Sequence, residues 1–188
     1  MAKGDLTAIE TLLGQEVARW RTMRVPKQVA AALWHGVQTV ELVAVGANAA
    51  HVTCTAEGEY RFAGGRPQEV SSALDAAMRL AAKVADMILY DVPNLRLSVV
   101  RVDVYTTFHT PDGLPEQRCI LTTVADRATA DNLDFEALLP VEIINRFDSR
   151  YEVNERGIAE AIDPGALLDG MQPVTDVIAE REPAPLEE

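Results

Sequence analysis

Residues 62–82 read FAGGRPQEVSSALDAAMRLAA and join a short alternating segment to a long apolar-striped run. Gly64 and Gly65 mark a tight chain reversal, and Pro67 is typical of the first turn of a helix. Apolar residues then recur at three- and four-residue steps along one helix face: Val70, Leu74, Ala77, Ala81, Val84 and Ile88. The stretch therefore predicts a strand, a glycine turn and a long helix that starts at Pro67 and ends before Pro93.

The glycine turn, Gly64 to Glu69, is the candidate ligand site of the sequence. A helix start leaves backbone N–H groups unpaired and carries a partial positive charge, and two glycines let a ligand approach that backbone closely. Arg66 adds a guanidinium fork for a carboxylate or phosphate. The predicted ligand-binding residues are Gly64, Gly65, Arg66, Pro67 and Ser71. The alternative is that the glycines only supply the positive φ angles of a reversal.

Upstream of this stretch the sequence predicts two helices and then strands. Asp5 is a candidate N-cap of the first helix, which carries a stripe of Ile9, Leu13, Val17 and Trp20. The segment KQVAAALWH predicts a second, short helix. The β-branched run VQTVELVAV and the alternating run HVTCTAEGEYRF predict strands, with a turn or bulge at Gly58.

Downstream, LRLSVVRVDVYTTF predicts a long strand in which the apolar phase slips at Val99–Val100, as at a β-bulge. The PDG turn at 111–113 and the run QRCILTTVA make this strand half of a hairpin. The polar segment ADRATADNLDFEALL predicts a loop with one helical turn, and Pro140 opens a helix whose inner face holds Val141, Ile144 and Phe147.

The element order α, α, βββα, ββα predicts an α+β fold with two strand–helix (βββα-like) units in layers. Residues 1–35 are predicted to form an N-terminal helical arm and residues 36–151 the α+β core domain. Residues 152–188 hold ten carboxylates against two arginines and predict an acidic, partly disordered C-terminal tail. Within that tail, GALLDGMQPVTDVIA predicts one short helix.

Composition limits the classes of partner. A net charge of −12 disfavours nucleic acid and anionic lipid surfaces, and no run approaches the ~20 apolar residues of a membrane span. Cys54 and Cys119 are the only cysteines, so a disulfide scaffold is not indicated. With no signal-peptide pattern in MAKGDLTAIETLL, we expect a cytoplasmic protein with free thiols.

No motif predicts catalysis, a metal site or a cofactor. His35, His51 and His109 lie far apart, and His51 and Cys54 would face opposite sides of one strand. The sequence contains no G-x-S-x-G nucleophile elbow and no P-loop. Both cysteines alternate within apolar strands, which is typical of small buried side chains. We therefore expect a protein that is not an enzyme, although a site assembled from scattered carboxylates remains an alternative.

The run AGGRPQEVSSAL, with Gly64, Gly65, Pro67 and Ala73, resembles the glycine–proline helix start of the C-terminal regulatory (dimerisation) domain of the 2-isopropylmalate synthase family. The run VEIINRF, with Glu142, Ile143 and Ile144, is similar to the last helix of that domain. Arg66 and Gln68 depart from the family pattern, and the family's catalytic barrel has no counterpart here. The resemblance covers roughly residues 38–150 and implies two βββα units, a dimer and an amino-acid effector bound near the turn.

Together these observations favour a non-catalytic regulatory-type domain that forms a homodimer and binds a small carboxylate or amino-acid effector at the Gly64–Glu69 turn. The alternative is a protein–protein interaction or scaffold protein that contacts a larger protein partner through its N-terminal arm and acidic tail.

Overall fold

A computed structural model of the chain describes residues 3–174, with side-chain surroundings from residue 6 onward. The disorder predicted for the end of the acidic tail concerns residues 180–188, which lie outside the described residues.

The fold is of the α+β class, as predicted. Its helices are α1 (Lys3–Thr22), α2 (Ala31–Gln38), α3 (Ala73–Asp86), α4 (Arg127–Ala130) and α5 (Pro140–Ile144), and α3 continues into a π-helical turn at Met87–Asp91. Its strands are β1 (Glu41–Gly46), β2 (Ala49–Thr55), β3 (Glu59–Ala63), β4 (Arg66–Ser71), β5 (Val99–His109), β6 (Pro115–Asp126), β7 (Asp148–Arg150), β8 (Glu152–Val153), β9 (Ala159–Glu160) and β10 (Gln172–Pro173).

A six-stranded sheet in the order β10-β1-β2-β5-β6-β7 forms the centre of the molecule. The pair β2–β5 is parallel and the other neighbours are antiparallel. Among the described residues, β3 and β4 pair only with each other, as do β8 and β9. The central sheet thus takes two long strands from each predicted unit, while β3–β4 stands apart as a two-stranded ribbon.

The hydrophobic core lies between one face of this sheet and the helices α1, α2, α3 and α5. Alternation along β5 explains this, because Val100, Val102 and Val104 are fully buried against the helices while Arg101 and Asp103 point to the opposite face. The predicted apolar stripe of α3 is buried from Leu74 to Ile88, so it is core. The two faces of the sheet therefore differ in chemistry.

The N-terminal helices belong to the same core. The predicted stripe of α1, from Ile9 to Trp20, is buried, and Trp34 and Val37 of α2 join the same cluster. The prediction of Asp5 as N-cap is wrong, because α1 already begins at Lys3.

The predicted helix start at Pro67 is also wrong. Gly64 (φ 60°) and Gly65 (φ 76°) form the two-residue turn of the hairpin β3–β4, in which Ala63 pairs with Arg66 and Phe62 with Pro67. Two consecutive positive φ values are the geometry of a type I′ turn, which glycine pairs adopt readily. A proline is tolerated in β4 because a two-stranded ribbon has a free edge.

The helix α3 starts six residues later than predicted. Ser72 is its N-cap, and the Ser72 Oγ accepts a hydrogen bond from the Asp75 amide at 3.1 Å. Val70, the first residue of the predicted stripe, lies on β4 and is 48% exposed.

Four predictions in the second half also need correction. The β5 strand begins at Val99, and its irregularity lies at Val104/Tyr105 rather than at Val99–Val100. Val141 is 40% exposed, and the residue that packs inward beside Ile144 is Ile143. No helix forms in the described part of the predicted tail helix, residues 165–174, because Gly165 and Gly170 take φ values of 78° and 79°.

Candidate functional site

The predicted ligand-binding residues lie on the exposed β3–β4 ribbon. A Cβ atom added at Gly64 or Gly65 would meet no atom of the described residues within 4 Å, so these residues form no cradle at the turn. Arg66 and Pro67 follow on the exposed part of β4, whereas Ser71 is buried at the base of the ribbon. At a strand rise of ~3.3 Å per residue, Ser71 lies roughly 16 Å from Arg66. The ribbon brings Gly64 to Pro67 together and places Ser71 elsewhere.

The ribbon exposes aromatic side chains. Tyr60 is 62% exposed and Phe62 is 81% exposed, and both lie on the ribbon face that also carries Pro67 and Glu69. Two-stranded hairpins are marginally stable alone, and exposed apolar patches often mark interaction sites. The ribbon therefore has the composition of a contact surface rather than of a ligand pocket.

A cleft of about 320 Å³ opens at the base of the same ribbon, between α2, α3 and the segment that joins β2 to β3. Its apolar wall consists of Ala32, Leu33, Ala56, Ala76 and Leu80. Gly36 sets the floor, because a Cβ there would come within 2.8 Å of the Leu80 side chain. The volume is that of a small-molecule site.

Charged side chains of both signs also line this cleft. Arg79 and Glu59 are half-buried, and neither side chain has a hydrogen-bond or ion-pair partner within residues 3–174. The Glu57 carboxylate, by contrast, is held by the Thr106 hydroxyl at 3.0 Å and by the Thr107 amide and hydroxyl at 3.1 and 2.6 Å. The cleft thus offers one unpaired cation and one unpaired anion beside an apolar wall.

A second cluster, which the sequence analysis missed, is buried on the polar face of the sheet. Arg101 donates from Nε and Nη2 to the two carboxylate oxygens of Asp103 at 3.0 and 3.1 Å. The same carboxylate accepts from His51 Nε2 at 2.8 Å and from the Thr122 hydroxyl at 2.5 Å. Arg101, Asp103 and His51 are 4%, 2% and 5% exposed.

These contacts decide the ionisation of the cluster. Burial alone would raise the pKa of the Asp103 carboxyl, but the hydrogen bonds from His51, Arg101 and Thr122 outweigh it and lower that pKa. Because an ionised carboxylate only accepts hydrogen bonds, His51 Nε2 is the donor in the hydrogen bond to Asp103. His51 Nδ1 is buried and has no partner among the described residues.

The chain segment 161–174, here termed the strap, crosses the polar face above this cluster. Arg101 donates to the carbonyl of Ala166 at 2.5 Å and to that of Pro164. The Ile162 amide donates to the Cys119 carbonyl at 2.8 Å, and Arg150 donates to the Asp163 carbonyl. The strap ends in β10, which pairs with β1.

Neither thiol is prepared for nucleophilic chemistry. Burial raises the pKa of the Cys119 thiol to about 11, and burial together with the nearby Asp103 also raises that of Cys54. Both cysteines are free and buried, as predicted. Within residues 3–174, no group of three or more histidine, cysteine or carboxylate side chains is arranged to hold a metal ion.

The sequence carried a weak signal for the buried cluster. In VVRVDVY the opposite charges of Arg101 and Asp103 sit two residues apart in a strand, and therefore on one face. That pattern is equally typical of a solvated face, and only the strap makes it a buried one.

None of the helices in the described part of the chain is long and apolar enough to cross a membrane. A scan against protein-family models and searches of curated proteins and of solved structures give no match to this chain.

Proposed function

We propose that the protein is a non-catalytic, regulatory-type domain that binds a small carboxylate or amino-acid effector, and that the effector binds in the cleft rather than at the Gly64–Glu69 turn. The observation that carries this proposal is the unpaired pair of charges, Arg79 and Glu59, beside an apolar wall. A guanidinium fork recognises a carboxylate, and a free carboxylate accepts from an ammonium group. The apolar wall at Leu33 and Leu80 would then receive the effector's aliphatic part.

Three features of the cleft support binding over catalysis. The described residues that line it include no cysteine and no serine. Its one histidine, His35, is exposed and bonded through Nδ1 to Gln38 at 3.1 Å. Its Glu57 is already occupied by three donors from β5. The resemblance to the regulatory domain of 2-isopropylmalate synthases stays a prediction, and it agrees with an effector role.

Binding is expected to raise the melting temperature. The test is a thermal melt of the full chain with a panel of amino acids, their 2-oxo acids and, as an anion control, inorganic phosphate. A ligand at ~100 times its dissociation constant adds about 2.7 kcal/mol to the free energy of unfolding. For a chain of this size that corresponds to a shift of about 5–10 °C.

Three arginine variants locate the site. We expect Arg79→Gln to remove the shift, while Arg66→Gln at the turn and Arg96→Gln on an exposed loop leave it unchanged. If only Arg66→Gln loses the shift, the effector binds at the Gly64–Glu69 turn and not in the cleft. No shift with any compound in the wild-type chain would contradict the effector proposal.

A second candidate function is a protein–protein interaction made by the ribbon, and the exposure of Phe62 and Tyr60 favours it. We expect Phe62→Ser to abolish capture of a specific partner by the full chain, because a large aromatic anchor contributes most of the energy of such contacts. Its melting temperature should stay within about 2 °C of the wild type, since the side chain is solvated.

The matched control is Leu114→Ser, which removes a 65% exposed side chain from the β5–β6 turn. Quantitative mass spectrometry compares the proteins retained by the wild type, by Phe62→Ser and by Leu114→Ser. If no retained protein distinguishes Phe62→Ser from both other chains, the ribbon is not the contact surface.

A further inference from the structure

The strap is held mainly by contacts to its main chain, and the side chain of Val174 at its end also packs against the hydrophobic core. Four main-chain groups between Ile162 and Ala166 make these contacts, and the donors or acceptors opposite them belong to Arg101, Cys119 and Arg150. At its far end, Val45 pairs with Gln172 and Ala44 with Pro173, and the Val174 amide donates to the Val43 carbonyl at 2.9 Å. Such contacts accept an extended chain irrespective of which copy supplies it.

The main receptor of the strap, Arg101, is held by groups outside the strap. Arg101 is held in place by the Asp103 carboxylate, which is itself held by His51 and Thr122. A receptor held in this way loses little side-chain freedom on binding. The strap itself is lightly packed, since none of its residues from 161 to 174 is buried.

A turn connects the strap to the body and can serve as a hinge. The strands β8 and β9 make only two residue pairs, Glu152–Glu160 and Val153–Ala159. The turn between them closes with the Asn154 amide donating to the Ile158 carbonyl at 2.9 Å, and Gly157 takes a φ of 74°. If this turn opened into extended chain, every other strap contact could re-form on a second copy.

We propose that the polar face of the sheet is a receptor for an extended chain and that two copies of the protein exchange straps across it. Residues 161–174 of each copy then cover Arg101 of the other, and β9 of one copy pairs with β8 of the other. The exchanged dimer contains the contacts of the closed monomer, so the hinge alone separates the two forms. This dimer is independent of the cleft and its effector.

Shortening the hinge tests the exchange. In a chain that lacks residues 154–158, Val153 is joined directly to Ala159, and no residue is left to reverse the chain between these two paired positions. The strap can then no longer turn back onto its own sheet, and we expect a dimer by size-exclusion chromatography with light scattering. Adding Arg101→Lys to this deletion keeps a cation beside Asp103 but removes the guanidinium fork from the strap carbonyls. We expect it to lower the fraction of dimer at least tenfold.

The matched control is Arg127→Lys in the same deletion background. Arg127 also donates to main-chain carbonyls, those of Leu97 and Leu89, but Leu89 belongs to the π-helical turn that follows α3 and neither carbonyl belongs to the strap. We expect this control to remain dimeric. A deletion chain that is folded and monomeric overturns the proposal, and so does a dimer that Arg101→Lys leaves intact.

If the deletion chain does not fold, the exchange is tested with the wild-type chain instead. Sedimentation at about 1 mM, the order of effective concentration that a short tether supplies, should then reveal a dimer that the Arg101→Lys chain lacks. A wild-type chain that stays monomeric there overturns the proposal.

Discussion

Replacing Asp103 with asparagine is expected to lower the free energy of unfolding by about 3–5 kcal/mol, the usual cost of removing one partner of a buried ion pair. Asp103 is 2% exposed, and its carboxylate accepts hydrogen bonds from Arg101, His51 and Thr122. An amide has one oxygen and would turn its NH₂ group toward these donors. Chemical denaturation of the full chain measures the loss, which corresponds to a fall of roughly 6–20 °C in melting temperature.

Asp148→Asn is the control, because Asp148 is an exposed carboxylate on β7 of the same sheet and should change stability by no more than about 0.5 kcal/mol. The pH dependence adds a second check. Since the folded-state pKa of Asp103 lies below its usual value, its contribution is complete above the unfolded value of about 3.9 and is lost as the pH falls through the folded value. The gap between wild type and Asp103→Asn should therefore shrink as the pH falls below about 4. A gap of less than 1 kcal/mol at pH 7 would contradict the account of the cluster.

The local sequence of the ribbon also favours a helix start. Two local signals compete in the stretch AGGRP, since Pro67 favours the first turn of a helix and Gly64–Gly65 favours a type I′ hairpin. The hairpin forms because both glycines take positive φ and because Ser72 is a better N-cap than any residue near Pro67. The spacing of apolar residues does not distinguish a helix start from a hairpin here. Val70 fits the helical period of α3, although it lies on β4.

The long periodic elements, by contrast, were predictable from local patterns. The stripe from Leu74 to Ile88 and the alternation of Val100, Val102 and Val104 each fix one buried face by themselves. The cleft and the buried charges could not be predicted this way. They arise where α2 meets α3 and where the strap crosses the sheet, and those contacts join residues about 45 and 65 positions apart.

The position of the ribbon also connects the two candidate functions. Glu57, Gly58 and Glu59 line the cleft, and Glu59 begins β3, whose outer part exposes Phe62. An effector that contacted Glu59 would touch the base of the exposed ribbon. Effector binding and partner binding are therefore compatible in one molecule, and the variants Arg79→Gln and Phe62→Ser separate them.

Trp20→Ala is expected to cost about 3–5 kcal/mol of the free energy of unfolding, because Trp20 is 1% exposed and lies in the same core cluster as α2, α3 and the sheet. The interaction hypothesis from sequence assigns α1 to an arm that contacts a larger partner, in which case its apolar stripe would be free and the substitution would cost little. Chemical denaturation of the full chain decides between these outcomes, with Gln15→Ala on the exposed side of α1 as the control. A loss of less than 1 kcal/mol in the free energy of unfolding of Trp20→Ala would support the prediction that α1 is an arm that contacts a partner. A cost near that of Asp103→Asn would leave the ribbon, and not α1, as the surface through which a partner is bound.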